Sequence, residues 1–229
     1  MAGSSGKLIV FGHGEGASDC IAEALLIAPH WNERETKHRK RAGTMVNAMR
    51  APSEDLWVFG YGSLMWRPGF AFEERQVARL SGFHRSLCVY SHVHRGTPDK
   101  PGLVMGLDRG GSCKGLAYRV HHARAPETIA YLREREQVTS VYVERIVPIT
   151  LQGGMRRLAL TYSVDSSHAQ YAGRLDRERL LHHVTQGHGV SGPNPDYVLR
   201  THDQLLDLGL QDPVLSWLAR ALRHDTPRR

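Results

Sequence analysis

Two stretches of this chain carry residue types that could do chemistry at a useful spacing. The first is Phe59-Gly60-Tyr61-Gly62-Ser63-Leu64, which follows the apolar run Leu56-Trp57-Val58. A buried strand breaking into Gly-x-Gly-Ser exposes backbone N–H groups, and glycines let a ligand approach the main chain. Such a loop suits an anion or a developing negative charge. A phosphate is disfavoured, because no lysine follows the glycines and no helical pattern starts on them. Ser63 does not sit in a G-x-S-x-G elbow, so the sequence designates no nucleophile. On this pattern alone an ordinary turn after a strand stays open. The second stretch is Arg133-Glu134-Arg135-Glu136, which has the alternating charge of a solvated helix face. Glu136, however, falls where the helix should end, just before Gln137-Val138. A carboxylate at such a junction can point into a pocket, where dehydration raises its pKa and makes it a usable general base. Glu127, Glu134 and Glu144 are the other acidic candidates.

The remaining reactive types are less pointed. Of 14 histidines, His92 and His94 would share one face of a strand and could ligate a metal. His182, His183 and His188 lie on or just past a helix. There is no H-E-x-x-H, and no carboxylate–histidine spacing singles out a site, so exposed or core histidines are the expectation, with no metal. The 3 cysteines, Cys20, Cys88 and Cys113, are odd in number and far apart, which argues against a disulfide framework or a zinc pair. Cys88 and Cys113 sit in apolar, strand-like context and read as packed thiols. The formal net charge of +7 is partly concentrated in Lys37-His38-Arg39-Lys40-Arg41 and at the tail from Arg223 to Arg229. Aromatic residues do not interleave with these basic blocks, so no nucleic-acid partner is expected. No apolar run approaches the ~18 residues of a membrane span. The short run Leu8 to Phe11 is cut by Gly12-His13-Gly14-Glu15-Gly16, unlike a signal peptide. The expectation is a soluble, cytoplasmic protein without a membrane partner.

The elements that must position these residues follow from periodicity and breakers. With 229 residues, 41% of them hydrophobic, the chain can bury one sizeable core. Residues 1 to 50 read as a poorly ordered appendage. Their glycine turn superficially copies a nucleotide-binding unit but lacks the G-x-G-x-x-G spacing. From Leu56 the pattern becomes globular. Val77 to His94 fits one bent strand or a hairpin. Leu103 to Leu107 and Gly115 to Val120 read as two strands around the turn Asp108-Arg109-Gly110-Gly111. Pro126 opens a helix that runs to about Glu136. Strands Val141 to Leu151 and Arg156 to Val164 follow. Helices are then predicted over Ala169 to Val184, from Pro193 or Pro195 to Gly209, and over Pro213 to Leu222. Strands mostly first and helices mostly later give an α+β class.

Four stretches in this order carry a resemblance. They are Trp57-Val58-Phe59-Gly60-Tyr61-Gly62-Ser63-Leu64-Met65-Trp66-Arg67-Pro68; His94-Arg95-Gly96 with Pro101-Gly102; Tyr131-Leu132 with Arg135-Glu136 and Tyr142; and Gly189-Val190-Ser191-Gly192-Pro193-Asn194 with Tyr197-Val198-Leu199. Over roughly 56 to 212 the chain resembles the ChaC-type, glutathione-specific γ-glutamylcyclotransferases. It departs at Thr139-Ser140-Val141-Tyr142, where family members often carry glycine just before the tyrosine. The resemblance implies a γ-glutamylcyclotransferase-like fold, a mixed barrel-like sheet flanked by helices with a helical C-terminal part, and a catalytic domain over 51 to 229. It implies cyclisation of the γ-glutamyl group of glutathione to 5-oxoproline, without metal or cofactor. Glu136 would be the general acid/base. Phe59, Gly60, Tyr61, Gly62, Ser63 and Leu64 would hold substrate, and Arg67, Arg95 and Tyr197 would be secondary contacts. Two alternatives stand beside it: the same chemistry on other γ-glutamyl amines, or a non-catalytic binding protein using its basic N-terminal arm. Oligomeric state is left open.

Overall fold

Strand β1 (Leu56–Gly60) is buried at every position, as an unbroken apolar run is when both faces are covered. It lies antiparallel to β3 (Gly102–Val120), from Leu56 opposite Val120 to Gly60 opposite Leu116. Its other edge pairs parallel with β5 (Arg156–Val164) through Trp57–Ala159 and Val58–Leu160. With β2 (Glu74–Ser91) and β4 (Tyr142–Leu151) the sheet closes into a barrel of order β1-β3-β2-β4-β5. Closure removes free sheet edges. The coordinates are a computed structural model, which describes residues 54–136 and 140–224. The expected appendage, residues 1 to 50, lies outside the described residues.

The long hairpin corrects one expectation. Leu103 to Leu107 and Gly115 to Val120 are not two strands around a turn but parts of a single 19-residue strand, β3. Its partner β2 is one bent strand of 18 residues. The register slips between Ser81 and Phe83, where Gly82 has φ +86°, opposite the positive-φ pair Gly110 and Gly111. Glycines there build a β-bulge that bends both strands without breaking the ladder, so residues that resemble a turn only kink it.

Helix α1 (Ala125–Glu136) carries Pro126 in its first turn and buries Ala125, Thr128, Ile129 and Leu132. Helix α2 (Arg177–Gln186) starts later than the apolar spacing from Ala169 predicts. The Asp176 carboxylate accepts the Arg179 N–H at 2.8 Å and caps the helix there. The residues before it are tied to β2 instead: Ala172 N–H donates to Cys88 O and Tyr171 bridges to Val89. A small hairpin, β6 (His188–Gly189) and β7 (Gly192–Pro193), leads into α3 (Asn194–Asp207), with a proline in its first turn. Gly209, at φ +66°, follows its end. Helix α4 (Pro213–His224) is amphipathic and buries Leu215, Leu218, Ala219 and Leu222, each leucine worth about 1.5–3 kcal/mol. Fully buried Asn194 docks α3 on the barrel as a strand residue would: its Oδ1 accepts Leu103 N–H at 2.7 Å and its Nδ2 donates to Leu103 O at 2.8 Å. Among the described residues, no helix is long and apolar enough to cross a membrane.

Candidate active site

The glycine loop lies at the barrel mouth where β1 ends. A Cβ on Gly60 would meet Leu64 Cβ at 2.9 Å, so the chain can fold back this tightly only with glycine there. It then makes a single 3-10 turn, Ser63–Met65. Met65 N–H bonds Gly62 O at 2.9 Å and Arg67 N–H bonds Ser63 O at 2.8 Å. The turn is anchored from within, where Tyr118 Oη donates to Leu64 O at 2.9 Å and to Met65 O at 3.1 Å. Arg85 Nε holds Tyr61 O from the other side. The N–H groups of Gly62, Ser63 and Leu64 open the turn and donate to no group among the described residues. Three unspent donors in a row are a place for negative charge. Phe59 does not share this role: its side chain is sealed in the core, and its carbonyl accepts the Thr161 hydroxyl at 2.9 Å.

Glu136 is the last residue of α1, and its side chain is only 16% exposed. Dehydration pushes its pKa above the ordinary carboxylate value, and the Arg135 guanidinium, 3.2 Å away, pulls it partly back. Arg135 is also what joins helix and loop. Its Nη1 donates to Arg67 O at 2.6 Å, Pro68 O at 3.1 Å and Tyr131 Oη at 3.0 Å, and its Nη2 to Ser63 Oγ at 3.0 Å. One guanidinium therefore spans from the Ser63 hydroxyl to the Glu136 carboxylate. The charge alternation alone does not distinguish Arg135 from Arg133, and the sequence named Arg135 only as part of a motif.

Three phenols lie close enough to Glu136 to feel its charge. Burial pushes the pKa of Tyr61, Tyr142 and Tyr197 upward and the Glu136 charge adds to it; for Tyr197 the Met105 N–H bond pulls partly back, leaving it at about 12. Two of them grip one residue of β3: Tyr142 Oη donates to Met105 O at 2.7 Å, and Tyr197 Oη accepts Met105 N–H at 3.0 Å. The Tyr197 proton is unspent, and its oxygen lies 3.3 Å from where a Gly62 Cβ would be. Tyr142 is a site residue that the sequence named only as part of a motif.

The other candidates disperse. Glu127 and Glu134 are exposed. Glu144 is buried but engaged, accepting Arg133 at 2.7 and 2.8 Å and Tyr162 Oη at 3.1 Å. Arg67 is exposed, whereas Arg95 is buried beside Tyr197. His92 stacks on Tyr90, and His94 Nδ1 meets Ser191 Oγ at 3.1 Å, so the two do not converge. Among the described residues the trio that does converge is Asp55, His121 and His122, but Arg119 already holds Asp55 at 2.8 Å. Cys88 and Cys113 are buried free thiols, with Cys88 pushed up to about 12 by burial. A cavity of about 770 Å³ opens at the opposite barrel mouth, among Leu56, Trp57, Glu74, Arg119 and Leu158. Asp55 lines it, but neither the glycine loop, nor Glu136, nor any of the three tyrosines does.

The comparisons with known proteins fall on this same region. The family model for ChaC-like proteins matches residues 56–225, which takes in the loop, α1 and the three tyrosines. The chain is 30% identical over 200 residues to the glutathione-specific γ-glutamylcyclotransferase of Escherichia coli (strain K12), covering 87% of this chain and 84% of that protein. It is 34% identical over 173 residues to glutathione-specific γ-glutamylcyclotransferase 1 of Mus musculus, covering 73% of this chain and 78% of that one. The crystal structure of a γ-glutamyl cyclotransferase specific to glutathione from yeast superposes with a TM-score of 0.69 at 22% identity, over 75% of this chain and 96% of that one, and so shares the fold. Barrel, glycine turn and buried glutamate thus sit within a matched sequence region, and the chain belongs to the ChaC-like protein family.

Proposed function

We propose that this chain is a glutathione-specific γ-glutamylcyclotransferase that closes the γ-glutamyl group to 5-oxoproline and releases cysteinylglycine. The observation that supports the reading is the Arg135 guanidinium, which contacts both the dehydrated Glu136 carboxylate and the Ser63 hydroxyl of the loop whose backbone donors are unspent. The substrate name comes from the relatives. The reaction is intramolecular: the α-amine attacks the γ-carbonyl carbon, a C–N bond forms in a five-membered ring, and the bond to the cysteinyl nitrogen breaks. Nucleophile and electrophile are already joined, so the protein has to fold the substrate, move protons and stabilise the oxyanion. Glu136 takes a proton from the α-ammonium, freeing its lone pair, and passes it to solvent; after attack it takes the second proton from the ring nitrogen and returns that one to the departing cysteinyl nitrogen. The N–H groups of Gly62, Ser63 and Leu64 face the α-carboxylate or the oxyanion, with the Tyr197 hydroxyl as a further donor. Ser63 is a positioning residue through its bond to Arg135, and no enzyme nucleophile takes part. A cytoplasmic setting suits a thiol-bearing substrate.

The test is incubation of the purified chain with glutathione and, separately, with simple γ-glutamyl dipeptides, with products identified by mass spectrometry. Equimolar 5-oxoproline and cysteinylglycine from glutathione, with slower turnover of the dipeptides, is expected. Free glutamate as the product, or equal or faster turnover of the dipeptides, would overturn the assignment.

A further inference from the structure

Beside the proposed centre lies a group of positive charges that ring closure itself does not use. Arg95 is only 9% exposed, yet among the described residues no carboxylate lies within ion-pair distance of it. Its Nη1 donates to Pro193 O at 3.0 Å. Its other guanidinium nitrogens have no protein acceptor and are not sealed from solvent. The backbone beneath is fixed: Arg95 N–H donates to Ser91 Oγ at 2.9 Å, and a Cβ on Gly102 would strike Arg95 O at 2.1 Å. The guanidinium carbon lies 5.7 Å from the centre of the Tyr197 ring, the ring whose hydroxyl reaches Gly62. Trp66 meets Tyr197 edge-on at 6.5 Å, and Arg200 lies 5.9 Å over Trp66. Two arginines and two aromatic rings thus form one continuous stack that begins at the glycine loop. Arg67 and Arg200 add like charge around Arg95, and Asp196 relieves it only from beyond ion-pair distance. Within the same stack, Trp66 Nε1 is the one buried side-chain polar atom among the described residues that lacks a partner.

A mostly buried guanidinium with two like charges nearby, no carboxylate in ion-pair range and nitrogens still open to solvent is a place where an arriving anion is favoured. We infer that Arg95 and Arg200, with Trp66 and Tyr197 between them, form the subsite for the second carboxylate of the substrate, the C-terminal glycyl carboxylate of a γ-glutamyl tripeptide. This rests on the cyclotransferase reading. The chemistry fits in sign and reach. Glutathione carries one carboxylate for the loop and another beyond the scissile bond, at the far end of the cysteinylglycine that leaves. A planar guanidinium grips a carboxylate by two N–H bonds, and rings that hold the arginines in place reduce the ordering cost of that grip. The subsite would make the chain a tripeptide enzyme by charge recognition at the leaving end.

The experiment compares glutathione with its glycine amide, the same length but without the second charge, by 5-oxoproline release from the full chain. The wild-type kcat/KM is expected to be roughly ten-fold higher for glutathione, the size of one charge-assisted hydrogen bond. In Arg95→Gln and in Arg200→Gln that ratio is expected to shrink toward one, through KM for glutathione more than kcat. Arg200 is exposed, so its variant tests the stack even if Arg95→Gln does not fold. Equal wild-type turnover of both compounds would overturn the subsite while leaving the cyclotransferase reading intact. So would equal losses on both compounds in the variants. Absence of 5-oxoproline from both compounds would instead overturn the cyclotransferase reading, and the subsite with it.

Discussion

Adding one methyl group at Gly62 tests whether the glycine loop works through its backbone. An alanine Cβ would arrive 3.3 Å from both Met105 Cβ and Tyr197 Oη, too close by a few tenths of an ångström. Met105 is fixed in β3, so the phenol has to yield, and it is held by the Met105 N–H at 3.0 Å. Over-packing of this kind costs about 1–3 kcal/mol, and loosening the tyrosine bond about 0.5–1.5 kcal/mol. If about 1–2 kcal/mol of this falls on the substrate-bound geometry, kcat/KM drops roughly 5- to 30-fold. Ser63→Ala is milder. It removes one acceptor of Arg135 at 3.0 Å, while Arg67 O, Pro68 O and Tyr131 Oη keep the guanidinium in place. A roughly two-fold loss is expected, within the range of one neutral hydrogen bond. Initial rates of 5-oxoproline release over a range of glutathione concentrations give both numbers. A Gly62→Ala enzyme that is normal beside a Ser63→Ala enzyme that is dead would refute the backbone cradle and make the hydroxyl the working group.

The acidic limb of the kcat/KM–pH profile is expected above 4.5, because catalysis needs ionised Glu136 and burial raises its pKa; a limb at an ordinary carboxylate value would contradict this. The same shift sets a stability sign. The folded state binds the Glu136 proton more tightly than the unfolded chain, so its contribution is present below the unfolded pKa and is lost as pH rises through the raised folded value. Glu136→Gln should therefore melt higher than wild type at neutral pH and approach it in acid, as differential scanning calorimetry would show. Arg133→Ala leaves the buried Glu144 carboxylate without its cation. Breaking such a pair costs about 3 kcal/mol for a partly exposed arginine, a fall in Tm of roughly 6–12 °C. Ser140 is the one non-glycine residue with positive φ among the described residues, at 58°. Ser140→Gly should relieve about 1 kcal/mol of left-handed strain and raise Tm by roughly 2–4 °C; a lower Tm would show that the serine side chain supports the turn.

Local signals were legible wherever the chemistry is local. The break after Phe59, Pro126 at the start of α1 and Gly209 after α3 each act within a turn or two of their own position, and each lies where the sequence places it. The failures came from long-range pairing. Gly110 and Gly111 carry the residue signature of a turn, and only the presence of Gly82 across the ladder makes them half of a bulge. Tyr171 has helical spacing with Leu175, but β2 claims its segment before Asp176 caps α2. At the site, Glu136 was visible because it stands at a helix–strand junction. Arg135, one residue earlier, was named in a motif but without a role, since its importance lies in carbonyls and a hydroxyl from the distant 63–68 segment. Tyr142 and Tyr197 are likewise brought together only through Met105. Ser140 shows how the departure before Tyr142 is accommodated: two residues ahead of the tyrosine the backbone takes a conformation in which glycine is at ease, with a serine in place.

The most direct measurement is 5-oxoproline release from glutathione by the wild-type chain and by Glu136→Gln, with folding checked by circular dichroism. The glutamine keeps size and polarity but cannot move the proton. Loss of general acid–base catalysis predicts a fall of about 10²–10⁴-fold in kcat with an intact fold. Turnover within a few fold of wild type would contradict the assignment of Glu136 and, with it, the mechanism.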